Sequence, residues 1–297
     1  MLIRQLEYFV ALAREGHFAR AAEACFVSQP ALSDALRKLE AELGVTLVQR
    51  GRAYEGLTPE GERLLPWARR VLADHDALRD EAAGLRAGLR GRLRIGVVPA
   101  ASTTAAPLLS AFAERHPLVT LQLNTKLAGS EIVRRILAFE LDAGITYAGS
   151  EVEGLRTVPL YRDRSVLIAS TALLGGRPDR LTWGQVGELP LAQIETTMHG
   201  RGLTDAAFAA AGVVPSASVV VDSIAALHSL VRAGRWAAIV PAAWSAPFEL
   251  GPEVHSVELD PEVAAGIVLA THPAEPAPPL AAALREAAVG LRARPGG

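Results

Sequence analysis

The chain has 297 residues, one cysteine, 30 basic and 32 acidic side chains, and a formal net charge of −2. That length suits about two domains with ample core, one cysteine excludes an intramolecular disulfide framework, and no stretch approaches the ~18 apolar residues of a membrane span. The near-neutral balance also excludes a bulk basic field: residues 1–58 hold seven basic and seven acidic side chains, so nucleic-acid affinity must rest on where charges are placed.

Arg4 and Glu7 interrupt any apolar run at the start, so no signal peptide is expected and the cytoplasm is the expected compartment. Leu2, Leu6, Phe9, Val10 and Ala13 keep a helical period, which Gly16 ends. A short second helix is predicted over Phe18 to Ala24, where small alanines allow close helix packing and Cys25 reads as a small buried hydrophobe. Ser28 is a good N-cap and Pro30 is tolerated in a first helical turn, so a third helix runs from Gln29 to about Leu43 with Gly44 as its stop. Leu32, Ala35, Leu36, Leu39 and Leu43 form its apolar stripe. Gln29, Ser33 and Arg37 lie in one polar row, with Pro30, Asp34 and Lys38 beside it. A helix that buries one face and shows short polar and basic groups on the other suits the DNA major groove; by itself it is more often a solvated surface helix, and two short helices packed before it favour a helix-turn-helix. Residues 45–57 read as a hairpin, or wing, able to set Arg50 and Arg52 over phosphates or in the minor groove; a connecting loop with two solvated arginines is the plainer reading.

Thr58-Pro59-Glu60 opens a long helix to about Leu89, with Pro66 near its start. Leu64, Ala68, Val71, His75, Leu78, Ala82, Leu85 and Leu89 alternate spacings of four and three, a heptad seam that calls for a partner helix and so for a homodimer.

Leu6-Glu7-Tyr8-Phe9, Phe18-Ala19-Arg20-Ala21-Ala22, Val27-Ser28-Gln29-Pro30-Ala31-Leu32-Ser33, Leu39-Glu40, Leu43-Gly44, Arg50, Leu57-Thr58 and Gly61-Glu62, in this order and spacing, resemble the LysR-type transcriptional regulators. The resemblance extends over nearly the whole chain. It implies an α/β protein with a winged helix-turn-helix at 1–58, a dimerising linker helix at 59–90, and a two-lobed, periplasmic-binding-protein-like effector domain at 91–297. One lobe would span about 91–161 plus 267–297, the other about 162–266. It also implies a homotetramer on an inverted-repeat operator in double-stranded DNA. Ser28, Gln29, Pro30, Ser33, Arg37 and Lys38 would then face DNA, with Arg50 and Arg52 on the wing. Asp34 departs from the family's usual polar or basic residue, and an acid there repels phosphate or accepts from cytosine N4.

Beyond a hinge at Leu89–Arg92, strands and helices alternate as in parallel α/β lobes: strand Leu93–Val98, helix about 104–115, strand Val119–Asn124, helix about 130–140, strand Ala143–Tyr147. A second half repeats the pattern with strands Leu191–Glu195, Ser218–Val221 and Ala237–Val240, and helices Leu203–Ala211 and Ile224–Ala233. Arg164–Ile168 would cross into that lobe and Gly266–Thr271 return, before a last helix at about Pro279–Leu291. Ligands of such sheets bind beyond the carboxyl ends of the strands. Ser102, Thr103, Ser130, Ser223 and the loop Thr196-Thr197-Met198-His199-Gly200-Arg201 fall there, with His199 and Arg201 as cationic candidates. They point to a small anionic or polar metabolite as effector; taken singly, each is an ordinary helix cap. No phosphate loop, nucleophile elbow, paired zinc motif or Cys–His arrangement marks an enzyme, and no cofactor motif is evident. A cytoplasmic solute-binding protein without a DNA role is the alternative, and the N-terminal ninety residues argue against it.

Overall fold

The computed structural model of the protein describes residues 1–50, 54–149, 152–195, 199–244 and 251–292. Three helices open the chain: α1 (Ile3–Glu15), α2 (Phe18–Ala24) and α3 (Gln29–Leu43). Leu32, Leu36 and Leu39 of α3 are fully buried against Leu6, Phe9, Leu12 and Ala21, which is what their helical spacing demands. Leu43, expected in the same stripe, is 40% exposed, because the helix ends there at Gly44 in a left-handed C-cap and its last turn projects beyond the bundle.

β1 (Val48–Arg50) and β2 (Tyr54–Leu57) pair antiparallel, so the wing is present. Glu40 of α3 holds its base by accepting from the amides of Leu47 (2.9 Å) and Val48 (3.2 Å). α4 (Pro59–Ala87) follows, capped by Thr58, whose side chain accepts from the Gly61 amide at 2.9 Å. A Cβ at position 61 would collide with the Leu47 carbonyl oxygen, so only glycine lets α4 pass so close to the wing.

α4 continues through Pro66 to the sensing region. Its first turns serve their own chain: Ala68 is buried and Leu64 packs on the N-terminal core. Leu89 likewise packs on the core of the next unit, and β3 (Gly91–Val97) starts at once, so little chain is left for the expected hinge. The outward apolar stripe is therefore Trp67 (62% exposed), Val71, Leu78 (70%), Ala82 and Leu85 (83%). It keeps the spacings of four, seven, four and three, but exchanges Leu64, Ala68 and Leu89 for Trp67. His75 is half-buried between them. Arg69 ties α4 to the first lobe by a 2.8 Å ion pair with Glu140.

In the first lobe β3 lies between β4 (Val119–Asn124) and β5 (Ala143–Tyr147), both parallel to it. α5 (Ala106–Arg115) and α6 (Gly129–Leu137) cover it with buried Leu108, Phe112, Ile132 and Ile136. β6 (Arg156–Ser170) is 15 residues long and joins the lobes. Further along lie α7 (Thr171–Leu174), β7 (Arg180–Thr182), α8 (Trp183–Gly187), β8 (Leu191–Ile194), α9 (His199–Ala210), β9 (Ala217–Val221), α10 (Ile224–Arg232), β10 (Ala238–Pro241), β11 (Val254–Asp260), β12 (Ala264–Thr271) and α11 (Pro279–Arg292). The first half of β6 pairs with β12, and its second half with β10 and β11, all antiparallel. The ladders are thus parallel within each lobe, as alternation predicts, and antiparallel at the crossing strands, which return without a crossover helix.

Candidate DNA-binding surface and effector cleft

The polar face of α3 is open. Ser28, Gln29, Pro30, Arg37 and Lys38 are exposed and Ser33 is half-exposed, all on the side opposite the buried leucines. Ser28 caps the helix, its side chain accepting from the Ala31 amide at 3.4 Å, so the free amides of the first turn and the short polar groups share one end. Arg37 donates to Asp34 at 3.0 Å, both side chains being close to two-thirds exposed, so the expected conflict at Asp34 takes a definite form. The carboxylate holds the Arg37 guanidinium in place across one helical turn. Arg50 ends β1, whereas Arg52 lies outside the described residues. Phe18 of α2 meets Tyr54 of β2 edge-on with ring centres 6.1 Å apart, fixing the wing to the helices.

The second site is a cleft of about 730 Å³ between the lobes. It is walled by Val98, Pro99, Ala100 and Ser102 after β3, Thr125–Gly129 after β4, Tyr147 at the end of β5, and β8 with the start of α9. These are the carboxyl ends of parallel strands, where loops and helix starts leave room for a ligand. The crossing strands supply Asp163, Arg164, Ser165 and Ala265 as its floor.

The expected effector residues part company here. Ser102, Arg201 and Ser223 line the cleft. Ser102 Oγ donates to the Pro99 carbonyl at 2.7 Å, and Ser223 caps α10, its Oγ accepting from the Ala226 amide at 3.5 Å. Arg201 donates to Asp205 at 2.6 Å and to the Ile194 carbonyl at 3.2 Å. Thr103 and Ser130 are not among the lining residues: Thr103 Oγ1 is buried with no hydrogen-bond partner among the described residues, and Ser130 is exposed on α6. His199 is the first residue of α9; Thr196 and Thr197 lie outside the described residues.

Sequence reasoning passed over Tyr147, Asp163 and Gln193. All three are at least nine-tenths buried and line the cleft. Asp163 sits between Arg162 and Arg164, and that run reads as a solvated face. The period-two alternation of a strand was the available signal, since it turns both arginines outward and the carboxylate inward. Burial pushes the Asp163 carboxyl up to about 6, opposed by a long 3.5 Å contact from the Ala243 amide. Burial and the nearby Asp163 charge raise the Tyr147 phenol in turn.

Residues 3–62 match the bacterial regulatory helix-turn-helix proteins of the lysR family, and residues 86–291 match the LysR substrate binding domain. The chain belongs to the LysR family. As a LysR-type protein it is a DNA-binding transcriptional regulator that responds to an effector. The regulator is 34% identical over 245 residues to a probable hydrogen peroxide-inducible genes activator of Streptomyces viridosporus, covering 80% of this chain and 77% of that one. It is 39% identical over 174 residues to a protein of the same description from Mycobacterium xenopi, covering 58% of this chain and 89% of that one. Full-length CbnR complexed with its target DNA has the same architecture, with a TM-score of 0.67, 26% identity and coverage of 98% and 99%. A full-length OxyR variant from Pseudomonas aeruginosa has a TM-score of 0.78 at 23% identity, over 97% and 94% of the two chains, and supports the fold. No described helix of the regulator is long and apolar enough to cross a membrane.

Proposed function

We propose that the regulator binds an inverted-repeat operator through α3 and the wing, and that a small molecule in the inter-lobe cleft sets its activity. Residues 1–58 are the DNA-binding unit, 59–90 the dimerising linker and 91–297 the effector-binding unit, with lobes of about 91–161 plus 267–297 and about 162–266. Ser28, Gln29, Pro30, Ser33, Arg37, Lys38, Arg50 and Arg52 carry the DNA contacts. Ser102, Arg201 and Ser223 are the effector residues best supported by position. The observation that carries the reading is the exposed polar flank of α3 backed by leucines of zero exposure.

The outward stripe Trp67, Val71, Leu78, Ala82 and Leu85 suits a second copy of α4, and two such dimers make a homotetramer that presents the same few cations four times. The regulator has no enzymatic role in this reading and works in the cytoplasm beside its DNA. Effector binding favours one arrangement of the lobes, and the linker carries the change to the DNA-binding units. That shift is as large as the effector's preference for one arrangement and no larger.

Several relatives are described as hydrogen peroxide-inducible activators. The 297 residues here hold one cysteine, Cys25, at the C-cap of α2 and far from the cleft. Burial pushes its thiol pKa up, which lowers the thiolate fraction, and no second thiol is present to close an intramolecular disulfide. In this reading the effector is not sensed by cysteine oxidation in the cleft.

An electrophoretic shift on the promoter fragment beside its own gene tests the reading. A shift that weakens steeply with salt and is lost in Arg37→Ala with Lys38→Ala supports it; an unchanged shift in that variant sinks the α3 assignment.

A further inference from the structure

Among the buried polar side chains that line the cleft, one is an acid. Asp163 is 8% exposed and faces the cavity from the strand that joins the lobes. Among the described residues it has no ion-pair partner, and its hydrogen bond is the 3.5 Å contact from the Ala243 amide, at the outer limit of a bond. A buried carboxylate without a counter-charge is costly, so such groups are ordinarily paired.

Both arginines that line the cleft are engaged elsewhere. Arg164, next in the chain, turns away to pair with Glu258 at 2.8 Å. Arg201, across the cleft, is held by Asp205 and the Ile194 carbonyl. Lys126 is exposed, as are the acids Glu195 and Asp222 that line the cleft with it. Two aromatic side chains line the same cavity. Tyr147 has its hydroxyl 3.7 Å from where a Cβ on Gly200 would lie, so it reaches from the first lobe to the start of α9. Trp244 is anchored by its indole N–H to the Ala100 carbonyl at 2.6 Å. An unpaired carboxylate in a partly apolar cavity with aromatic walls is the chemistry that receives a cation: charge-assisted hydrogen bonds from the acid, and attraction by the ring faces.

We infer that the effector is a small organic cation, whose protonated amine or guanidinium group docks on Asp163 in the cleft lined by Tyr147 and Trp244. This rests on the proposal that the cleft is the effector site, and it selects the cationic members of the polar class over the anionic ones. A carboxylate ligand at this depth would meet Asp163 with like charge. A cation supplies the missing partner and, because Asp163 lies on β6, ties both lobes to one ligand atom.

Three four-carbon probes that differ in end groups test the class: 1,4-diaminobutane, 1,4-butanediol and succinate, with agmatine added as the guanidinium form. They are titrated calorimetrically into the full-length regulator and into Asp163→Asn and Ala225→Trp. Ala225 is an exposed position in the first turn of α10 that lines the cleft, so its replacement fills the cleft without touching the core. The expected result is diaminobutane or agmatine binding at least tenfold tighter than the diol or succinate. That preference should vanish in Asp163→Asn, which still shifts promoter DNA and melts no lower than the native protein, and binding should be lost in Ala225→Trp. Succinate as the tightest probe, blocked by Ala225→Trp, overturns the cationic class and leaves the cleft as the effector site. Binding that Ala225→Trp does not affect overturns the cleft itself. Unchanged amine affinity in an Asp163→Asn protein of lowered melting temperature makes Asp163 a cap for the turn at Ala242–Trp244 and overturns the inference, as does the absence of binding by all four probes.

Discussion

The proposed DNA-facing surface and the proposed effector cleft are built by opposite routes. The first lies within ten residues of one helix, Gln29 to Lys38, where a 3.6-residue period sets both the buried leucines and the exposed polar row. The second draws on strand ends from Val98 to Ala265, and its most telling residue sits in a strand whose partners are about a hundred residues away. A local site depends on few long-range contacts, because one helix carries its polar row and the wing follows directly in the chain. A distributed site exists only once both lobes are packed, so it responds to their relative position, which a sensor requires.

The sharpest way to break this comparison is to remove the support of the local site. Leu36→Ala, at a fully buried position, costs about 2–5 kcal/mol of stability in the N-terminal unit. Urea denaturation followed by circular dichroism should show an early transition for that unit while the sensing lobes unfold as before. Next in size is the linker: Leu78→Asp with Leu85→Asp places four charges in a dimer seam, and sedimentation should find monomers that no longer shift DNA. A dimer that survives would move the interface off α4.

Arg37→Ala tests the local site without disturbing its support. Expected is a loss of about 1–3 kcal/mol with relaxed specificity at one base pair if Arg37 reads a base. A uniform loss, with a salt dependence shallower by about one, marks a phosphate contact. Binding titrations at several salt concentrations separate the two.

Asp163 gives the distributed site its pH signature. Burial raises its folded-state pKa to about 6, well above that of an exposed carboxylate, so the folded chain holds the proton more tightly than the unfolded one. Stability therefore falls as pH rises from about 4 to about 6, and Asp163→Asn should recover on the order of 1 kcal/mol at pH 7 and nothing at pH 4. Thermal melts at the two pH values check this. Cation affinity has the opposite sense: below about 6 the ligand must displace a proton, and its affinity drops roughly tenfold per pH unit. The facing phenols, Tyr147 and Tyr161, have raised pKa values and stay neutral throughout, so they add no second transition. The smallest effect belongs to Asp34→Ala. It frees an exposed ion pair with Arg37 and should change stability by less than about 1 kcal/mol, while widening the set of operator sequences bound.

Much of the fold was legible. The bounds of α3 follow from Ser28, Gly44 and the leucine spacing, because caps and periodicity are local signals. The linker was legible in part: a heptad pattern gives the repeat, and it does not say which members face the chain's own domains. Leu64 and Ala68 went to the N-terminal core and Leu89 to the first lobe, and Trp67 took a place on the outward stripe. β11 and the short β7 were not foreseen, since edge pairings such as Leu259 with Leu181 depend on chain brought from far away. Among the effector candidates, helix caps were recognisable as caps, but Ser130 faces solvent and Ser102 faces the cleft for reasons that lie in the packing of other segments.

The sequence alone determined the first three helices, the long linker and the alternation of strands and helices, because each is specified by residues within one or two turns of one another; the pairing of the wing came with the structure. It also determined, through a single cysteine, that no intramolecular disulfide switch operates within these residues. Tertiary structure decided the rest. The pairing of β6 with β10, β11 and β12 turned an ordinary Asp between two arginines into a buried carboxylate at the floor of a cavity, with no ion-pair partner among the described residues. Charge carries its meaning through its surroundings, and those surroundings come from segments that meet only when the chain has folded.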